Sequence, residues 1–201
     1  MEQVVINNLI EESQNFLFKR AKIDDKIGLE AAKFAVHDIP KPLGKFEKSK
    51  SPLIHWIKDA VKHGNSETND FLKAIEPALP YLPWKYNYEP RSDLVGIESQ
   101  LGWGEILGPE APYRDEQFCF GFTLLGKNTF YPSHSHPATE LYVVLSGHAI
   151  WTLDGHTQIR GPGEFILHPS NHIHSMQTEN EPMLALYTWS GKDIKTLSKY
   201  V

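Results

Sequence analysis

Two histidines, a glutamate and two tyrosines crowd the stretch YPSHSHPATELYVVLSG, residues 131–147. Imidazole nitrogens and a carboxylate together form a donor set suited to divalent first-row metals. Along an extended chain, residues two apart point to the same face. His134 and His136 can therefore look into one interior together, and Glu140 joins them after the short irregular segment PAT. Tyr142 follows two residues later, so its hydroxyl is expected on the metal-facing side. A fourth ligand must come from another strand. GPGEFILHPSNHIHSM offers His168, His172 and His174, and the last is the predicted ligand. The two-residue spacing puts His172 on the His174 face, as a group that supports the ligands and reaches the substrate. These donors do not discriminate sharply among zinc, iron, manganese and nickel, so one divalent transition metal per chain is expected.

The patterning on either side sets the frame. In the first part, Val4, Val5, Leu9, Ile10, Phe16 and Leu17 make a helical stripe. IGLEAAKFAVHDI is a second amphipathic stretch, stopped by Pro40 and Pro42. SPLIHWIKDAVKHG reads as a complete helix with Ser51 as cap, Pro52 in the first turn and Gly64 as stop. NSETNDFLKAIEPALP gives another. The proline-flanked aromatic connector PWKYNYEPRSD, residues 83–93, marks the predicted boundary. Beyond it come VGIESQLGWGEIL, FCFGFTLLG, ELYVVLSG, HAIWTLDG, EFILHPS and MLALYTWSG, short β-rich runs separated by Gly, Pro and Asp-Gly. Such spacing indicates an antiparallel sandwich or barrel. The expected organisation is a helical layer or lid over residues 1–93 and a metal-binding β domain over 94–201.

Composition narrows the partners. A formal net charge of −5 over 201 residues gives no basic footprint for nucleic acid or an anionic membrane. No apolar run approaches membrane-spanning length, and the acidic N-terminal segment does not read as a signal peptide. A soluble, cytoplasmic protein is expected. Cys119 lies alone in an apolar run and reads as a small core residue. Seven of the ten histidines fall within residues 134–174. Of these, His148 and His156 flank a predicted hairpin and are expected at the surface. Trp56, Trp84 and Trp103 read as structural, and one of Tyr187 and Trp189 is expected to face inward.

The segment G-x7-H-x-H-x3-E-x6-G from Gly126 to Gly147, followed by PGEFILHPSNHIH, resembles the two motifs of the cupin superfamily. A narrower resemblance is to the bacterial cupin-type dimethylsulfoniopropionate (DMSP) lyases. Their signature Tyr-x2-His-x-His-x-Ala-x-Glu-x-Tyr is present as Tyr131, His134, His136, Ala138, Glu140 and Tyr142. The resemblance implies a mainly β protein with a helical N-terminal part and one C-terminal cupin barrel, a double-stranded β-helix or jelly roll. It implies His134, His136, Glu140 and His174 as the metal shell and Tyr142 as the catalytic base. Tyr131 and Trp189 are implied beside the substrate, with Tyr131 as the rival base. Cupin barrels also pair at their edges, so a homodimer is the implied assembly.

The chemistry implied is β-elimination from a small zwitterion. A base removes the proton α to the carboxylate, the carbon–sulfur bond breaks, and neutral dimethyl sulfide leaves acrylate behind. A metal on the carboxylate offsets its negative charge, a nearby cation makes a phenolate base attainable, and aromatic faces hold a sulfonium. Alternatives on the same four ligands are a cupin sugar isomerase or dioxygenase, or a non-catalytic small-molecule-binding cupin.

Overall fold

The structure, a computed structural model, describes residues 2–23 and 25–201. Helix α1 (Glu2–Ala21) buries Ile6, Leu9, Ile10, Ser13 and Leu17, a one-sided stripe at helical spacing, while Val4 faces solvent. Helix α2 (Lys26–Ala35) starts at Asp25, whose carboxylate accepts the Gly28 N–H, and ends well before Pro40. The segment expected as one helix over 51–64 is shorter and split. Residues Pro52–Trp56 form a 3-10 turn and only Ile57–Ala60 (α3) are α-helical. Trp56 donates its indole N–H to the Ser99 carbonyl, a tertiary anchor that fixes this segment more strongly than local propensity does. Helix α4 (Asn69–Ile75) and a 3-10 turn at Leu79–Tyr81 complete the helical part. No described helix is long and apolar enough to cross a membrane.

The remainder is two facing sheets. The strands are β1 (Leu101–Gly108), β2 (Tyr113–Arg114), β3 (Cys119–Leu125), β4 (Phe130–Ser135), β5 (Thr139–Ser146), β6 (Ala149–Leu153), β7 (His156–Arg160), β8 (Phe165–His168), β9 (His174–Gln177), β10 (Met183–Ser190) and β11 (Lys199–Tyr200). One sheet runs β2-β1-β3-β10-β5-β8 and the other β11-β4-β9-β6-β7. All pairings are antiparallel except that of β1 with the two-residue β2. This is the jelly-roll arrangement of a cupin barrel behind N-terminal helices.

Period-two alternation divides the core. On the six-stranded sheet, Phe120, Phe122, Leu124, Leu141, Val143, Leu145, Leu184 and Leu186 face outward and pack against the helices. Each such buried side chain contributes roughly 1.5–3 kcal/mol through area removed from water. The alternate residues Leu125, Tyr142, Val144, Ala185 and Tyr187 face inward and meet Tyr131, Trp151 and Met176 of the other sheet. The helices therefore stand behind one wall of the barrel, and the inner face is left to the polar site. Gly147 ends β5 with φ +74, and a Cβ there would lie 2.1 Å from the Pro182 carbonyl oxygen. Both the left-handed turn and the close approach require glycine.

Candidate metal centre and pocket

β4 delivers His134 and β5 delivers Glu140, with His136 in the short link between them; β9 opens with His174. All four side chains belong to residues at most 3% exposed. The ligand-capable atoms of His136, Glu140 and His174 lie within 4.8 Å of one another. His136 Nε2 is 3.0 Å from Glu140 Oε2, and His174 Nε2 is 3.4 Å from the same oxygen. His134 is the register partner of His174, with ring centroids 4.1 Å apart, but stands outside that three-residue cluster.

The imidazoles are aimed by the backbone. Nδ1 of His134 lies 2.7 Å from the Pro132 carbonyl oxygen, Nδ1 of His136 3.1 Å from that of Ala138, and Nδ1 of His174 3.0 Å from that of His172. A carbonyl can only accept, so each Nδ1 carries a proton, and each Nε2 is the nitrogen that would turn its lone pair to an ion, His136 Nε2 giving up the proton it otherwise shares with Glu140. That is how protein ligands are oriented toward a divalent ion. His174 Nε2 is buried and makes no hydrogen bond, an orphaned acceptor that a metal would satisfy. The donor set fits a divalent transition metal.

Glu140 is the hub. Its Oε1 accepts the Trp189 indole N–H at 2.7 Å. Its Oε2 faces His136 and, at 3.1 Å, His168 Nδ1. Burial pushes this carboxyl up, but the charge and hydrogen bond of His136 and the hydrogen bond of His168 hold it well below the usual carboxylate range. Burial and then the neighbouring His174 push His134 well below an ordinary imidazole.

A pocket of about 700 Å³ opens onto these groups. Tyr142 lines it, with its hydroxyl 3.3 Å from Thr123 Oγ1 and its ring edge-on to Trp151. Burial, and next the Glu140 charge, push the Tyr142 phenol well above its ordinary value. Tyr131 stacks on His134 at 3.9 Å and shares a 2.8 Å hydrogen bond with the Tyr88 hydroxyl. Trp189 also lines the pocket, stacked on His136 at 4.2 Å.

Three expectations need correction. His172 does not reach the site: the strand begins only at His174, so two-residue alternation does not apply, and the His172 side chain is half exposed against Asp154. Tyr187 and Trp189 both face the pocket, because residues two apart on a strand share a face. None of the pocket wall comes from the helices. Residues of the segment Lys85–Arg91 and of the tail Lys195–Tyr200 line it instead, since the apolar stripes of the helices match the outer face of the sheet.

Two residues that the spacing alone did not assign belong here. His168 pairs in register with Glu140 at the end of β8 and donates to it, which makes it a support of the ligand. Tyr88 lies in the connector, stacked on Tyr200 at 4.1 Å and bonded to Tyr131. The two-residue spacing of Tyr86 and Tyr88 was the available signal for an aromatic face there.

A two-sheet jelly roll with a buried His-Glu-His cluster at one end of an aromatic pocket defines the cupin class of metal-binding proteins. Residues 31–185 match the family model for dimethylsulfoniopropionate lyase, and the chain belongs to that family. It is 35% identical over 114 residues to dimethylsulfoniopropionate lyase DddQ of Ruegeria pomeroyi. That alignment spans 56% of this chain and 56% of the relative, so just over half of the curated relative is matched. The fold is shared over the whole chain with a crystal structure from the DMSP lyases RdDddP and RnDddQII, with TM-score 0.83, 23% identity and full coverage of both chains. The crystal structure of DddQ from Ruegeria pomeroyi superposes with TM-score 0.79 at 24% identity, covering 98% of this chain and 96% of that one.

Proposed function

We propose that this protein is a metal-dependent carbon–sulfur lyase that cleaves DMSP by β-elimination to dimethyl sulfide and acrylate. Residues 94–201 are the metal-binding unit, and residues 1–93 back its sheet and add the aromatic wall at Tyr88. His136, Glu140 and His174 hold the metal, with His134 as the fourth ligand. A divalent cation there supplies Lewis-acid withdrawal of charge from the substrate carboxylate and lowers the cost of a nearby phenolate.

The observation that carries the reading is the setting of Tyr142. Its phenol is buried in the pocket beside Glu140 and makes a long contact to Thr123. Burial and the Glu140 charge hold it protonated until compensating positive charge arrives. As phenolate, its oxygen takes the α-proton. The C–H electrons become the new carbon–carbon π bond, and the C–S electrons leave on sulfur as neutral dimethyl sulfide. The leaving group needs no proton, so no general acid is required. Tyr131, tied to Tyr88 and stacked on His134, orients the substrate, and Trp189 fixes Glu140 through its N–H.

Metal-loaded protein incubated with DMSP, with headspace detection of dimethyl sulfide and acrylate in the supernatant, tests this directly. One-to-one formation of the two products is expected. Absence of dimethyl sulfide at full metal occupancy overturns the reading.

A further inference from the structure

Glu105 faces the same pocket from β1 and has no part in the metal centre. Its place follows from the sheet register. Glu105 is opposite Gly121 on β3, Gly121 is opposite Tyr187 on β10, and Tyr187 is opposite Tyr142 on β5. These four residues form one row across the inner face. Neighbouring strands are about 4.8 Å apart, so Glu105 starts about 14 Å from Tyr142 along the backbone row. The side chains close most of that gap. The Tyr142 hydroxyl leans as far as Thr123 on β3, leaving one strand spacing to β1. Tyr187 crosses above Gly121, where a Cβ would lie 2.9 Å from the Tyr187 ring, and donates its hydroxyl to Glu105 Oε2 at 3.4 Å. The glycine is what lets the ring cross.

Glu105 is half-buried, and a carboxylate withdrawn from water to that extent gains from a cationic partner. Among the described residues, none lies within ion-pair distance of Glu105. Its hydrogen bond from Tyr187 is long. Lys85, bridged to Trp103 beside β1, supplies the positive field it feels, and Glu110 opposes that field. Burial pushes the Glu105 carboxyl up, as expected of an under-compensated acid. Around it stand Trp103, two residues earlier on the same strand face, and Tyr187. An aromatic wall closed by a carboxylate suits a soft, weakly hydrated cation better than an ammonium that needs hydrogen-bond acceptors.

We propose that Glu105 is the counter-anion of the substrate's onium group and so selects a zwitterion over a neutral carboxylate. The assignment rests on the lyase reading for the orientation of the substrate, with its carboxylate at the metal centre. In that pose the two-carbon chain carries the sulfonium away from Glu140 and toward β1. When the C–S bond breaks the positive charge disappears, and the neutral sulfide loses its hold on Glu105. Binding at this end thus weakens on product formation.

The test compares two ligands on metal-loaded protein by calorimetry. One is 3-(trimethylammonio)propanoate, a cationic analogue that keeps the carboxylate. The other is 3-(methylthio)propanoate, which has the same carboxylate end and a neutral sulfur. Glu105→Gln is expected to weaken the cationic ligand by about 10- to 100-fold, the range for one partly desolvated charge a few ångströms away. The neutral thioether is expected to change by less than about three-fold, which also shows that the variant folds and keeps its metal. Glu105→Asp should restore part of the difference. Equal losses for both ligands, or none for either, overturn the assignment. If the charge selectivity holds but native protein releases no dimethyl sulfide from DMSP, Glu105 stands as an onium site and the lyase reading falls. If dimethyl sulfide is released without that selectivity, the reverse follows.

Discussion

Replacing Tyr142 with phenylalanine separates the chemistry from the architecture. The ring is held by Trp151 at 5.0 Å, His168 at 5.5 Å and Tyr187 at 6.1 Å, and all three contacts survive the change. What disappears is one hydroxyl, with its 3.3 Å contact to Thr123. A long, neutral bond of this kind contributes about 0.5–1 kcal/mol. For a chain of this size that lowers Tm by about 1–4 °C. Loss of a positioned base costs about 10²–10⁴ in rate, equivalent to about 3–5 kcal/mol of barrier. The kinetic effect therefore exceeds anything partial unfolding can cause. The measurement is kcat for dimethyl sulfide release at saturating DMSP, with metal content determined on the same preparation. Tyr131→Phe is the comparison. It breaks the bond to Tyr88 but keeps the stack on His134, so KM should rise while kcat stays within about ten-fold. Near-normal turnover in Tyr142→Phe with a dead Tyr131→Phe reverses the roles. Activity in both ends the tyrosine mechanism.

Other outcomes follow from the same geometry. His136→Ala and His174→Ala should each lose the metal in elemental analysis, and full occupancy in either refutes the ligand set. His172→Ala, altering a half-exposed side chain outside the pocket, should leave metal content and turnover within about two-fold. Metal-free protein should lose stability as pH falls from 6.5 toward 4. Burial lowers His168 from 6.5 to about 4, so between those values the unfolded chain binds a proton that the folded chain refuses. The penalty from His168 alone is about 2 kcal/mol at pH 5, or about 4–8 °C in Tm relative to pH 7.5; a flat Tm over that range contradicts it.

The candidate cluster was legible because both segments that build it are strand-like and histidine-rich at fixed spacing. His134, His136, Glu140 and Tyr142 needed only the period-two rule and a short irregular link. The same rule misplaced His172, because extended geometry was assumed two residues before the strand starts. It should have placed Tyr187 and Trp189 on one face. The helical part was legible as helical, yet not its docking side: amphipathic stripes say that a face is buried, not what buries it. Trp56 shows the complement, since its bond to Ser99 fixes a segment whose local signals predicted a full helix. Glu105 became a functional candidate only through registry between distant strands, which no local pattern encodes, whereas Tyr88 had a local signal in its spacing from Tyr86 but none for the partner it meets.

The most indirect support of the candidate metal centre is Trp151, and it yields the sharpest test of the hydrogen-bond logic. An indole N–H can only donate. At 2.9 Å from His168 Nε2 it forces that nitrogen to accept, so the His168 proton sits on Nδ1. Nδ1 then donates to Glu140 Oε2 at 3.1 Å, beside the atoms that would hold the ion. With Trp151→Phe the imidazole is free to place its proton on Nε2 and turn a lone pair toward the carboxylate. Metal affinity should fall by about 10- to 100-fold, the usual effect of losing a group that orients a ligand. His136 and His174 keep their own backbone bonds, so the metal should still bind in a one-to-one ratio. Unfolding would also drop, by about 1–3 kcal/mol, from the unpaired His168 nitrogen. Stability alone is therefore the wrong readout. Competition with a chelator at a temperature where the variant is fully folded isolates the affinity. If Trp151→Phe holds metal as tightly as the native protein there, the tautomer of His168 does not govern Glu140, and the indole is merely packing.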